Sequence, residues 1–548
     1  MRKKVKWGGV LLLLIVLIAY SKPTEKYFEI AKSLDIFATL FKEVNANYVD
    51  DVDPKKLIKQ GIDGMLGSLD PYTDYIPEEQ IENFRITTTG QYGGIGALIG
   101  VVNGKTVITH PYKNFPAYKA GIRVGDELIA VNGVSVKSKE TSDVSTLLKG
   151  QPKTEVEVRL KRMGQKEEVV LKIKREKISV GNVSHYALLE KGVGYIQLED
   201  FTPGAAKEVA EAILELKEKG ATKLILDLRN NPGGLLHEAV NIVSLLMPKG
   251  VDVVSTKGKV EDWNKTYSTL NNPIDTEIPL VVLANENSAS ASEIVAGALQ
   301  DYDRAVLIGR KTFGKGLVQT TRGLAYNAQL KVTTAKYYIP SGRCIQALDY
   351  GNRAEDGTVG KFADSLKKEF STKAGRKVYD GGGLDPDMLI SQQYLGSVTE
   401  ALLVSGYLFD YASIFTNKNQ APVNLKDFTL SEQQYDQFME WLRSQNFKYT
   451  TGMEKNTREL VESAKEERYY ADMEPQLNQL KKQIETNKAN DLIRFKSEIK
   501  DLLEQQIAFH YNLVEGQAAV GLKRDEAVQQ AIAVLNDPET YKKILSPK

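Results

Sequence analysis

The chain has 548 residues, 42% of them hydrophobic and 26% charged, and a formal net charge of +1. This composition suits a globular protein of about three or four domains and excludes a disordered or collagen-like chain. A near-zero charge gives no global electrostatic case for nucleic acid, and the single cysteine, Cys344, excludes an intrachain disulfide.

The amino terminus reads as a targeting segment. MRKKVK is a basic n-region, and Trp7 to Tyr20 is an uncharged, mainly apolar run of 14 residues (20 − 7 + 1). That is short for a spanning helix and typical of a signal-peptide h-region, with Ala19-Tyr20-Ser21 as a small-x-small cleavage site. An uncleaved amino-terminal anchor is the competing reading. Either way, the positive-inside rule sends the remainder out of the cytoplasm. From Glu25 to about Ile86 the pattern is helical. Phe28, Ala31, Leu34, Phe37, Leu40, Phe41 and Val44 form one apolar face, and Asp53-Pro54 starts a second helix with Leu57, Ile58, Ile62 and Met65 as its stripe. Ser68-Leu-Asp-Pro71 breaks that helix. The stretch predicts a helical region packed on the rest of the molecule.

From Gly93 to about Arg175 short strands and turns dominate. Gly93-Gly94-Ile95-Gly96-Ala97 predicts a glycine-rich loop leading into a strand, and Asn132-Gly133 a hairpin turn. Glycines let consecutive backbone N–H groups point inward and hold a carboxylate, while a peptide tail pairs as an added strand. With GIRVGDEL (Gly121 to Leu128) downstream, the segment resembles a PDZ domain, with Gly94, Ile95, Gly96 and Ala97 as its tail-binding residues. Nucleotide binding, the rival for a glycine-rich loop, lacks the following helix and the acidic ribose ligand.

From about Val180 to Leu389 strands and helices alternate, which predicts a mixed or parallel sheet with helices around it. Thr202-Pro203 reads as a helix start. KLILDL (Lys223 to Leu228) reads as a buried strand ending in the turn RNNPGG and a helix over Leu235 to Leu246. Ile278 to Ala284 is another buried strand, followed by Ser288, Ser290 and Ser292 and the helix beginning EIVAGAL. Ser290-Ala-Ser-Glu293 fits a capping box, a purely structural role. The same position suits a nucleophile, because free N–H groups and the helix dipole there favour negative charge. A serine nucleophile needs a base, and none of the four histidines, His110, His185, His237 and His510, lies in this segment or the next. In KTFGKGLVQTT, Lys315 stands between Gly314 and Gly316, and Lys315, Leu317 and Gln319 would share one face of a strand. A desolvated, neutral lysine is the alternative base.

Several ordered motifs resemble the carboxyl-terminal processing proteases, or tail-specific proteases, which are PDZ-containing Ser/Lys endopeptidases. They are YVDDVD (Tyr48 to Asp53), GMLGSLDPYTDY (Gly64 to Tyr75), GGIGA (Gly93 to Ala97), LDLRNNPGG (Leu226 to Gly234), SASASEI (Ser288 to Ile294), TFGKGLVQ (Thr312 to Gln319), YYIPSGR (Tyr337 to Arg343) and GGGLDPD (Gly381 to Asp387). The resemblance covers Phe37 to about Leu389. It implies a ClpP/crotonase-like α/β core, Ser290 as nucleophile, Lys315 as general base and Gln319 as the residue orienting the lysine. It also implies an oxyanion hole from the amides of Ala291 and Gly233, with Gly234 as an alternative donor, and a supporting role for Asp301. Cys344 stands where the family usually holds serine and reads as a packing residue.

Beyond Ser391 the resemblance thins. Leu477, Leu480, Ile484, Leu492, Phe495, Ile499 and Leu502 fall at helical or heptad-like spacing in a Lys/Glu/Gln-rich stretch. That predicts a helical subdomain, with a dimerisation arm as its rival. The expected architecture is multidomain α+β: leader or anchor 1–24, helical region 25–88, PDZ domain 89–178, catalytic core 179–392 and helical region 393–548. The expected activity is an exported serine endopeptidase at the periplasmic or extracytoplasmic face of the membrane. It would recognise carboxyl-terminal tails of exported proteins, with an adaptor or activator, or a second copy docked through the carboxyl-terminal helices, as partners, and would need no metal or cofactor. The alternatives are a catalytically silent PDZ adaptor and an acyl-CoA hydratase-like enzyme.

Overall fold

The computed structural model describes residues 26–353 and 358–547; the expected leader lies outside them. Two compact units divide the chain. One takes Met1–Ile76 with Thr321–Val332, the other Pro77–Thr320 with Thr333–Lys548.

In the first unit residues 26–47 are helical. A second helix, Pro54–Gly67, starts as expected: Pro54 occupies its first position, and the Asp53 carboxylate accepts from Lys55 and Lys56 N–H. The Phe37 ring lies 3.5 Å from where a Cβ on Gly61 would stand, so glycine there lets the two helices approach. The stretch is not purely helical, because Asp74–Ile76 is a strand paired antiparallel with Gln329 to Lys331. Along the first helix, Phe41 and Val44 are half-buried. Phe28, Leu34, Phe37 and Leu40 are all exposed among the described residues, although their spacing is helical.

In the second unit, a sheet built from Ala97–Val102, Lys105–Pro111, Glu127–Val131, Glu155–Lys161 and Glu168–Lys174 packs on the helix Thr141–Leu148 around Ile108, Leu128, Val144, Val156 and Leu160. Asn132 and Gly133 both have positive φ, as the predicted two-residue hairpin requires. Gly93 and Gly94 differ from the expected loop. They belong to the strand Gln91–Gly94, paired with Glu176–Ser179.

A six-stranded sheet follows in the order Val183–Leu188, Val193–Leu198, Lys223–Asp227, Leu280–Ala284, Val306–Gly309 and Met388–Leu389. Only its first pair is antiparallel. Alternate residues of each strand serve opposite cores. Leu280, Val282 and Ala284 meet the helices Ala205–Glu218, Leu236–Leu246 and Ala291–Asp301. Val281 and Leu283 meet Val528, Ala531, Ile532 and Leu535 of the helix Glu526–Leu535. A strand buried on both faces reads as a continuous apolar run, which is why these strands were visible in the sequence. The helix start expected at Thr202-Pro203 falls at Ala205 instead. The Glu238 carboxylate caps it from another element, accepting from Gly204 and Ala206 N–H.

The helices Ser397–Val404, Tyr407–Lys418, Glu432–Ser444 and Lys496–Gly521 enclose a cluster of Leu402, Tyr411, Phe415, Phe438, Leu442, Ile499, Leu503 and Ile507. Ile484 and Leu477 are buried, whereas Leu480 of the supposed stripe is exposed. These helices hold the PDZ-like sheet through Asn103 on Asp410 (2.5 Å), Lys113 on Asn512 (2.9 Å) and Glu515 (2.9 Å), and His110 edge-on to Phe509. At this contact His510 is half-buried. Its Nδ1 lies 2.8 Å from Gln506 O, which can only accept, so Nδ1 carries the proton and Nε2 faces the Ser413 hydroxyl at 2.9 Å. Burial lowers the His510 pKa from 6.5 to about 4. Unfolded chains therefore bind a proton that the fold refuses, and stability is present above pH 6.5 and lost as pH falls towards 4. The loss is on the order of 3 kcal/mol. Thermal midpoints of the parent and His510→Gln, measured between pH 7 and 4, are expected to converge at low pH; parallel curves would contradict this.

Candidate active site

The strand Leu280–Ala284 delivers the chain to a tight turn, and the helix Ala291–Asp301 leaves it. Ser290 is at the N-cap with φ 56° and ψ −113°, a conformation that costs about 1–3 kcal/mol for a non-glycine residue. The capping relation with Glu293 exists: Ser290 N–H donates to Glu293 Oε2 at 2.9 Å. The other two serines are buried and tied to the neighbouring turn. The Ser288 hydroxyl donates to Leu228 O at 2.7 Å, and that of Ser292 to Asn231 O at 2.9 Å. Of the three, Ser290 alone is partly exposed.

Glu293 does more than cap its helix. Its Oε2 also accepts from Lys315 N–H at 2.9 Å, and its Oε1 from Gly314 N–H at 2.7 Å and the Thr312 hydroxyl at 2.6 Å. One carboxylate oxygen therefore gathers the amides of Ser290 and Lys315, 25 positions apart (315 − 290). Burial raises the Glu293 pKa, and the four donors oppose that shift. Every neighbour of the carboxylate donates, so the ionised form is the one that fits them.

Lys315 is not on the strand that its even spacing with Leu317 and Gln319 implied; the strand begins at Leu317. The flanking glycines explain why. A Cβ on Gly314 would meet Ala347 Cβ at 2.5 Å, and one on Gly316 would meet Gln346 N at 2.8 Å. Gly316 N–H instead donates to Gln346 Oε1 at 2.8 Å. Gln319 Nε2 donates to Thr333 Oγ1 at 3.2 Å, and its Oε1 is the atom an amine would use. Tyr337, from the strand Gln329–Tyr338, is buried, and its hydroxyl donates to Lys315 O at 2.6 Å and approaches Ser290 O at 3.2 Å.

Gly233 passes directly beside the serine. A Cβ there would stand 2.6 Å from Ala289 O, 2.8 Å from Ala291 N and 2.9 Å from Ser290 Cβ, at φ +94°. In this conformation Gly233 N–H donates to Asn231 Oδ1 at 2.8 Å, while Asn231 Nδ2 donates to Leu198 O. The expected Gly233 donor is thus engaged with Asn231. Asp301 lies at the far end of the serine helix, paired with Arg343 at 2.8 Å and accepting from Ser341 N–H. His237 is exposed on its helix, 3.7 Å from Glu238, and Cys344 is partly buried with its thiol pKa raised by burial.

The loop expected to bind a tail has a definite orientation. Ile95 O accepts from Ala117 N–H and Gly96 O from Tyr112 N–H. Each trans peptide plane then turns its N–H the other way, so Gly96 and Ala97 N–H face away from those partners. A groove of about 470 Å³ beside this loop is lined by Tyr92, Ile95, Ala97, Leu148, Asp200 and Thr202, among others. Sequence reasoning missed the bridging role of Glu293 and any role for Asn231, Thr312 and Tyr337. All four lie inside motifs, but only their cross-chain contacts reveal what they hold.

The family model for peptidase family S41 matches residues 192–351, and that for the PDZ domain matches 107–162. Models described as the probable PDZ-protease carboxyl-terminal helical domain and the activating protease CtpB N-terminal domain match 398–535 and 19–80. The chain is 36% identical over 338 residues to a carboxy-terminal-processing protease of Bartonella bacilliformis, covering 61% of this chain and 77% of the relative. It is 39% identical over 339 residues to a probable CtpA-like serine protease of Staphylococcus aureus, covering 60% and 67%. A solved photosystem II D1 C-terminal processing protease is similar at 29% identity, covering 66% of this chain and 93% of that one, with a TM-score of 0.35.

Proposed function

The chain belongs to peptidase family S41, among the carboxy-terminal-processing serine proteases with a PDZ domain, and from that premise we propose that Ser290 and Lys315 form its catalytic dyad. The observation that carries the reading is the shared Glu293 oxygen, which gathers the amides of both residues. Neutral Lys315 takes the Ser290 proton as the hydroxyl oxygen attacks the scissile carbonyl carbon. Gln319 orients the amine. Ala291 N–H and Gly233 N–H, once Gly233 leaves Asn231, hold the oxyanion. Lysine then returns the proton to the leaving nitrogen as the C–N bond breaks, and water repeats the sequence on the acyl-enzyme. The chemistry calls for no metal or cofactor.

Gly94, Ile95, Gly96 and Ala97 take the substrate's carboxyl terminus, with the outward N–H groups on its carboxylate and the tail laid along Ala97–Val102 as an added strand. The basic and apolar leader supports export, with the protease acting at the extracytoplasmic face of the membrane on exported proteins. The domains run 25–88, 89–178, 179–392 and 393–548. An activator protein or a second copy docked through the carboxyl-terminal helices is a compatible partner. Cleavage of one peptide with a free carboxyl terminus or a terminal amide tests tail recognition. The amide is expected to be cut about tenfold more slowly, for loss of a charge-assisted hydrogen bond; equal rates would refute the reading.

A further inference from the structure

We propose that Tyr337 is a positioning residue for the proposed Ser290/Lys315 dyad, holding the main chains of both residues in one register. The inference rests on that dyad reading.

The two dyad residues are bracketed on both main-chain sides, amide and carbonyl. Their N–H ends converge on Glu293 Oε2, at 2.9 Å each. Their C=O ends converge on the Tyr337 hydroxyl, at 2.6 Å for Lys315 and 3.2 Å for Ser290. A phenol has one proton, so the shorter contact is the principal bond and the longer one shares it. The clamp is itself anchored: Tyr337 N–H donates to Gly316 O at 3.0 Å, and Tyr337 pairs with Thr256 of the neighbouring strand Asp252–Gly258. The ring is almost fully buried, at 1% exposure.

A buried tyrosine must bond its hydroxyl somewhere, and packing alone would account for one acceptor. It does not account for acceptors from the two segments that also share Glu293. Without the phenol, the two carbonyl oxygens lose their common donor, and Glu293 holds the lysine segment to the serine turn at the N–H ends alone. Proton transfer between side chains is sensitive to displacements well under 1 Å. Because these two contacts hold the main chain of the dyad and not the substrate, their loss is expected to fall on kcat and to spare KM.

The test uses the full chain carrying Tyr337→Phe, which keeps the ring and so the packing. Turnover of a tailed peptide and the rate at which a small fluorophosphonate modifies Ser290 are measured beside the parent and Lys315→Ala, with folding checked by circular dichroism. The expected result is a fall in kcat of about 10- to 100-fold, with KM within about twofold and a parallel fall in the labelling rate. Unchanged kcat and labelling, whatever the change in thermal midpoint, would make Tyr337 a packing residue and overturn the proposal. A Lys315→Ala variant that still turns over would remove the dyad and this inference with it. An inactive Lys315→Ala beside a fully active Tyr337→Phe would remove the inference alone.

Discussion

Glu293→Gln is expected to abolish peptide cleavage, although Gln is nearly the same size. The carboxylate accepts four hydrogen bonds and donates none: Ser290 N–H, Gly314 N–H, Lys315 N–H and the Thr312 hydroxyl. An amide would put its NH₂ against two of these donors, whichever way it turned. Hydrogen bonds to a buried charge contribute roughly 1.5–3 kcal/mol each, and leaving donors unsatisfied adds a desolvation penalty. A loss of about 3–5 kcal/mol is therefore expected, a large share of a typical folding free energy. The pair of amides that brings Ser290 beside Lys315 would separate. Thermal unfolding and single-turnover cleavage check this together. A lowered midpoint with at least a 100-fold slower acylation is expected; a stable variant with parental rate would show that the carboxylate is not what joins the two segments.

Ser290→Ala and Lys315→Ala carry the other large effect. Each is expected to lower kcat by on the order of 10⁴- to 10⁶-fold, since members of a nucleophile–base unit fail together. The double variant is expected to be no worse than either single one. Ser290 is partly exposed and Lys315 enters through a loop, so neither truncation opens a cavity in the sheet core, and the fold is expected to survive. Peptide turnover and circular dichroism on the same preparations check both halves. A Lys315→Ala variant within tenfold of the parent would assign the base elsewhere, with no histidine placed in the Ser290 or Lys315 segments to take its role.

What the sequence disclosed and what it hid divide along physical lines. Strands such as Leu280–Ala284 were legible because both faces are buried and the run is wholly apolar. The helix beginning at Ala205 was misplaced because its cap comes from Glu238, far along the chain, rather than from Thr202. Lys315 was assigned to a strand because alternation looks the same in a loop. There the deciding factor is the close approach of Gln346 and Ala347, which no local pattern carries. Ser290-x-x-Glu293 was legible as a cap, and it is one. The second set of bonds, to Gly314 and Lys315, belongs to tertiary structure and had no local signature. The exposed stripe of the first helix shows the converse: periodicity predicts a helix without saying what covers it.

The proposed chemistry requires Lys315 to activate the Ser290 hydroxyl. The most direct measurement is modification by a small fluorophosphonate, located by peptide mass spectrometry in the parent and in Lys315→Ala. One adduct on Ser290 in the parent and a rate at least 100-fold slower in Lys315→Ala is the expected result. An adduct on any other residue, or equal labelling of the two proteins, would contradict it.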